Sequence, residues 1–113
     1  MTWKTPGRST FDRLRSARTA RSGPITISWL PAPSPQQAIL AFAIPKRVGK
    51  AVVRNRLRRR LREVARLQLD LPSGVYLVRA RPAAATLNFE QLGGHMAHAA
   101  ATLVPPRPKL DRR

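Results

Sequence analysis

The run AVVRNRLRRRLREVAR, residues 51–66, constrains the fold more than any other part of the chain. At about 100° per residue, Val53, Leu57, Leu61 and Val64 fall within roughly 80° of one another, the stripe of a helix lying on a core. Asn55, Arg58, Arg59, Arg62 and Arg66 fall on the opposite face, with Arg54 and Arg56 on the two flanks. The spacing predicts an amphipathic helix over 51–69. One residue breaks the pattern. Arg60 projects into the apolar stripe, so it must snorkel out along its own stem or find a partner.

The same run carries most of a charge problem. Residues 46–66 hold ten of the chain's 22 Lys and Arg side chains and one acid, Glu63. Like charges packed this densely repel, and without an apolar stripe such a segment would stay disordered. The helix therefore requires the rest of the chain to supply a surface for Leu57 and Leu61 to rest on.

Strand patterns on both sides of the helix supply it. ITISWL, 25–30, alternates strictly, with Ile25, Ile27 and Trp29 on one face and Thr26 and Ser28 on the other. AILAFAIP, 38–45, gives Leu40, Phe42 and Ile44 a bulky face and Ala41 and Ala43 a slim one. A short proline-containing loop between these strands suggests an antiparallel pair, with a bulky face covered by helix and a slim face left as a shallow groove. VYLVRAR, 75–81, reads as a third strand stopped by Pro82. A short extra strand near 31–38 or 45–48 is also compatible. TFDRLRSARTAR, 10–21, reads as a helix capped by Ser9 or Thr10 and ended by Gly23 and Pro24. Asn88 and Gln91 have capping-box spacing before a last amphipathic helix of Phe89, Leu92, Met96, Ala99 and Leu103. Residues 9–104 form one expected domain. Residues 1–8 read as a flexible lead-in, and 105–113 as a flexible, basic, proline-rich tail. The class is α+β, with helices on a small sheet.

Charge then narrows the function. Against 22 basic residues stand 5 acidic ones, a formal net charge of +17 on 113 residues. A domain this basic needs a polyanion, and nucleic acid is the default. There is no cysteine, which removes disulfides, thiolate metal sites and a Cys nucleophile. The longest apolar run, AILAFAI, is too short to span a membrane. A cytoplasmic protein without a membrane partner is expected.

Self-contained catalysis has little to work with. Asp12, Glu63, Asp70, Glu90 and Asp111 are singletons in separate elements. His95 and His98 share a helix face but lack a third ligand. No catalytic and no metal-binding side chain is expected. Binding has more. Guanidinium groups contact phosphate bidentately and stack on bases, so arginines on a rigid helix face can follow a folded backbone. Asn55 adds a donor and an acceptor, and Lys46, Arg47 and Lys50 crowd the helix entrance after a permissive Gly49.

KRVGKAVVRNRLRRRLREVAR closely resembles the signature helix of the protein subunit family of bacterial ribonuclease P, a run of the form K-[KR]-x-G-x-A-V-x-R-N-R-x-[KR]-R-x-[IL]-R. Arg54, Asn55 and Arg56 match its Arg-Asn-Arg core, and Lys46, Gly49, Ala51, Val52, Arg58, Arg59 and Arg62 match around it. The resemblance covers roughly residues 8–103. It implies an αβββαβα order with a small mixed sheet, a left-handed βαβ crossover, and likeness to the second domain of ribosomal protein S5. It implies a protein cofactor of an endoribonuclease whose catalyst is RNA, with Mg2+ bound mainly by RNA and no obligate protein partner. The implied partners are the catalytic RNA and precursor tRNA, from which the 5′ leader is removed. Lys46, Arg47, Lys50, Arg54, Asn55, Arg56, Arg58, Arg59 and Arg62 become RNA contacts, and Phe11, Arg15, Thr26 and Ser28 border a leader cleft. The chain departs from the family pattern at Arg15, where a second aromatic is common, and at Thr26 and Ser28, where a strand aromatic is common. The alternative is a ribosomal or other structural RNA-binding protein. A peripheral membrane helix and a free-standing nuclease rank below both.

Overall fold

The computed structural model describes residues 2–3, 12–14, 17–31 and 38–103. Its strands are β1 (Thr2–Trp3), β2 (Arg18–Ser22), β3 (Ile25–Pro31), β4 (Ala38–Ala43) and β5 (Gly74–Ala80). The helices are α1 (Ala51–Gln68) and α2 (Phe89–Leu103), with 3-10 turns at Lys46–Val48 and Pro82–Thr86. A helical turn occupies residues 12–14. The α+β class is as expected from the sequence, and from the helical turn onward the order is the αβββαβα that the resemblance implies, with β1 in addition.

The strands form one mixed sheet in the order β1-β4-β5-β3-β2. β5 runs parallel to β4 and antiparallel to β3, with α1 as the crossover between β4 and β5. The antiparallel pairing of β3 with β4 inferred from their short connection is therefore incorrect, because β5 lies between them. β5 takes the centre with large apolar side chains buried on both of its faces. Tyr76, Leu77 and Val78 are each 1% exposed. β1, inside the segment read as a lead-in, pairs in parallel with the edge of β4.

Residues 18–22 are the second correction. They form β2 and not the end of a helix, and they pair with β3 from Arg18↔Trp29 to Ser22↔Ile25. Gly23 and Pro24 make the two-residue turn of this hairpin. Gly23 has φ +56, and a turn with a positive φ at its first central position matches the right-handed twist of the strands it joins. The sequence RTARS has weak strand propensity; pairing to β3 overrides it.

The two sheet faces differ as the alternation requires. On one, Ile25, Ile27, Trp29, Leu40, Tyr76 and Val78 meet Leu57, Leu61 and Val64 of α1 and Leu92, Met96 and Ala99 of α2 in a single core. Trp29 stacks on Tyr76 and donates from Nε1 to the Ser73 carbonyl at 3.4 Å. On the other face, Leu14 is fully buried against Ala41 and Leu77. The capping box forms as spaced. The Asn88 Oδ1 accepts from the Gln91 amide at 2.8 Å, and the Gln91 Oε1 accepts from the Asn88 amide at 3.0 Å.

Candidate nucleic-acid interface

α1 begins without a side-chain cap and without an acid in its first turn, so its unpaired backbone N–H groups add to the positive charge there. Lys46, Arg47 and Lys50 lie at that end, all three exposed. Gly49 is required at the entrance, since a Cβ on it would lie 2.9 Å from Val53 Cγ1. Its carbonyl accepts from Arg54 Nε at 3.2 Å. Asn55 Oδ1 accepts from Arg58 Nη1 at 2.9 Å. The Arg-Asn-Arg core thus anchors two guanidinium groups to its own chain and leaves their other donors for a ligand.

The arginines read as one face divide into two flanks. Arg62 leans toward β4, its Cζ 5.9 Å from the centre of the half-buried Phe42 ring, and its Nε is buried without a hydrogen-bond partner. Arg56, Arg59, Arg60, Glu63 and Phe89 surround a hollow of about 420 Å³ on the other flank, toward α2. Arg60 resolves its anomaly there, donating from Nη1 to the Leu87 carbonyl at 3.3 Å. Glu63 bonds Arg66, which holds that exposed guanidinium's pKa further above its ordinary value. Asn55, Arg56 and Arg59 are exposed, and Arg54, Arg58 and Arg62 half-buried.

The second cationic surface lies on the slim sheet face. Strand register places Arg21, Thr26, Arg79 and Ala43 side by side across four strands, and Thr19, Ser28, Leu77 and Ala41 in the next row. The first row lies in a hollow of about 680 Å³ that Pro45, Arg47 and Arg81 also line. Thr26 lines it. Ser28 lies beneath, fully buried, its hydroxyl 3.0 Å from Thr19 Oγ1 and accepting from Arg79 Nη2 at 3.2 Å. Phe11 and Arg15, expected to border a cleft on this face, lie outside the described residues. Arg21, Arg79 and Arg81 were not singled out from the sequence. The period-two alternation of VYLVRAR already places Arg79 and Arg81 on the slim face. Arg21 had no such signal while its segment read as helix.

Among the described residues no group of three or more His, Asp or Glu side chains could hold a metal ion. His95 Nδ1 instead meets Ser22 Oγ at 2.9 Å. Among the same residues no helix is long and apolar enough to cross a membrane.

A mixed sheet whose crossover helix carries a guanidinium face, and whose opposite face holds a cation-lined hollow, defines a small, strongly basic α+β protein. The family model described as Ribonuclease P matches residues 6–104, and the chain belongs to that family. The ribonuclease P protein component of Thermus oshimai is 46% identical over 86 residues, which are 76% of this chain and 54% of that protein. That of Thermobifida fusca is 35% identical over 116 residues, covering 94% of this chain and 79% of the relative. The chain spans about half the length of the Thermus relatives it matches. Among solved structures, the Staphylococcus aureus RNase P protein superposes with a TM-score of 0.75 at 18% identity, over 84% of this chain and 89% of that one. The Thermotoga maritima protein does so with 0.72 at 17%, over 89% and 94%. At these identities the likeness speaks for the fold.

Proposed function

We propose that the chain is the protein cofactor of a ribonuclease P ribonucleoprotein. In this reading the guanidinium face of α1, with Lys46, Arg47 and Lys50 at its entrance, binds the catalytic RNA subunit. The slim face of the sheet receives the single-stranded 5′ leader of precursor tRNA. The protein raises affinity for substrate, and the RNA performs the endonucleolytic step that makes the mature 5′ end. The carrying observation is the family match over 6–104 together with Arg54-Asn55-Arg56 on α1, Asn55 and Arg56 exposed and Arg54 half-buried.

The division of labour follows from the donors present. Mg2+ in the holoenzyme is assigned mainly to RNA and substrate phosphates, which suit its preference for oxygen ligands and retained water. The protein offers scattered carboxylates in a strongly positive field, which repels a divalent cation. What the protein supplies is neutralisation: each phosphate it contacts lowers the repulsion between two RNAs that must approach closely.

The test is cleavage of a precursor tRNA at low Mg2+ by a bacterial ribonuclease P RNA, with and without this protein. Stimulation that needs both components, and that disappears when Arg54, Asn55 and Arg56 are all changed to Ala, supports the reading. Tight binding to structured RNA without any stimulation would instead place the chain among structural RNA-binding proteins.

A further inference from the structure

The smaller hollow, about 420 Å³ between α1 and the start of α2, combines guanidinium groups with a carboxylate and an aromatic ring. Arg56, Arg59, Arg60 and Glu63 recur at i, i+3, i+4 and i+7 and so share one side of α1. Phe89 stands across from them in the first turn of α2. Much of this lining is held before any ligand arrives. Arg60 Nη1 is bound to the Leu87 carbonyl. Arg66 donates to both oxygens of Glu63, which orients the carboxylate and leaves each oxygen a further lone pair. Phe89 is half-buried against the core and follows directly on Asn88 of the capping box. Arg56 and Arg59 are exposed. Groups fixed in this way lose less freedom when a ligand binds. The volume is within the range of clefts that take small organic groups, roughly 300–1,000 Å³.

We infer that this hollow takes the base of an unpaired guanosine of the catalytic RNA subunit. Phe89 lies against the base, Glu63 accepts from its N1–H and N2–H, and Arg56 and Arg59 meet the flanking phosphates. The inference rests on the reading that α1 binds that RNA, and it adds base recognition to it. Phosphate alone would call for guanidinium groups only, whereas a ring and a carboxylate in the same hollow fit a base. Among the four bases guanine alone presents two adjacent N–H donors on its Watson–Crick edge, and these match the two oxygens of a carboxylate. Adenine and cytosine set one donor beside an acceptor. Uracil sets its donor between two carbonyls, which a carboxylate repels. An acidic peptide would satisfy the arginines but would be repelled by Glu63.

Kethoxal adds to N1 and N2 of unpaired guanine, the two atoms assigned to Glu63, and so tests the contact directly. A bacterial ribonuclease P RNA is probed alone and saturated with the full-length protein. Wild type is expected to protect an unpaired guanine that is reactive in the free RNA. That guanine is expected to regain its reactivity with Glu63→Gln, which keeps the shape but turns one acceptor into a donor. Phe89→Leu, which keeps apolar packing and removes the ring, is expected to do the same. A second measurement needs no variant. Guanosine 5′-monophosphate should bind the protein about tenfold more tightly than uridine 5′-monophosphate, as for a bidentate base contact, and should shift the Phe89 ring resonances. Bound RNA with no protected guanine, protection that survives Glu63→Gln, or equal affinity for the two nucleotides overturns the inference while leaving α1 as the RNA-binding face. Protection seen only in precursor tRNA overturns the assignment to the RNA subunit. No binding to the RNA subunit overturns the reading on which the inference rests.

Discussion

Arg60 sits at the edge of the apolar stripe of α1, beside Val53, and its Nη1 donates to the Leu87 carbonyl at 3.3 Å, just before α2. The side chain is half-buried. Its charge is thus part of the helix packing and not of the outward guanidinium face. Arg60→Met keeps the stem and removes the donor. The expected cost is about 0.5–1.5 kcal/mol, the net worth of one hydrogen bond, read from urea unfolding. A variant as stable as wild type would show that the bond contributes nothing.

Arg62 should behave in the opposite way. Its Nε is buried without a partner and its guanidinium lies over Phe42. An unsatisfied buried nitrogen costs about 1–3 kcal/mol, against about 0.5–2 kcal/mol from the cation–π contact. Arg62→Met is therefore expected to leave the unfolding midpoint unchanged or higher. A drop comparable to that of Arg60→Met would assign Arg62 a structural role.

Arg59 is exposed on the flank facing α2, at the rim of the smaller hollow. Arg59→Ala should leave stability unchanged and lower the salt slope of RNA binding by about 0.7–0.9 for each phosphate it had neutralised. Titrations between low and physiological salt check this. An unaltered slope would take Arg59 out of the interface.

Leu61 is fully buried beneath the same helix. Leu61→Ala removes apolar packing and leaves a cavity, at an expected cost of about 2–5 kcal/mol. A small domain has only about 5–15 kcal/mol in total. Calorimetry should show a melting transition displaced well below that of wild type, and RNA binding should weaken as folded protein is depleted. A wild-type melting curve would mean that the core closes around the missing side chain.

Gly23 tests the hairpin. With φ +56, an added Cβ would also lie 2.6 Å from His95 Cε1. Gly23→Ala meets both backbone strain and a clash with α2, so a stability decrease of more than about 1 kcal/mol is expected. Urea unfolding reads it. Unchanged stability would mean that the turn or His95 rearranges freely.

Much of this protein was legible as local pattern. The phase of α1, the Asn88–Gln91 capping box and the two-faced strands follow from periods of 3.6 and 2, which depend only on which neighbours share a face. The Arg-Asn-Arg run marked the helix whose Asn55, Arg56 and Arg59 the fold then left exposed. The sequence could not say which strand lies beside which. β5 separates β3 from β4 because burying its two apolar faces outweighs the longer connection, and that gain exists only in the assembled sheet. Residues 18–22 became a strand for the same reason, since the bonds that stabilise them belong to β3. That pairing, absent from any local pattern, brings Arg21 level with Arg79 and makes a cationic hollow from two residues far apart in the chain.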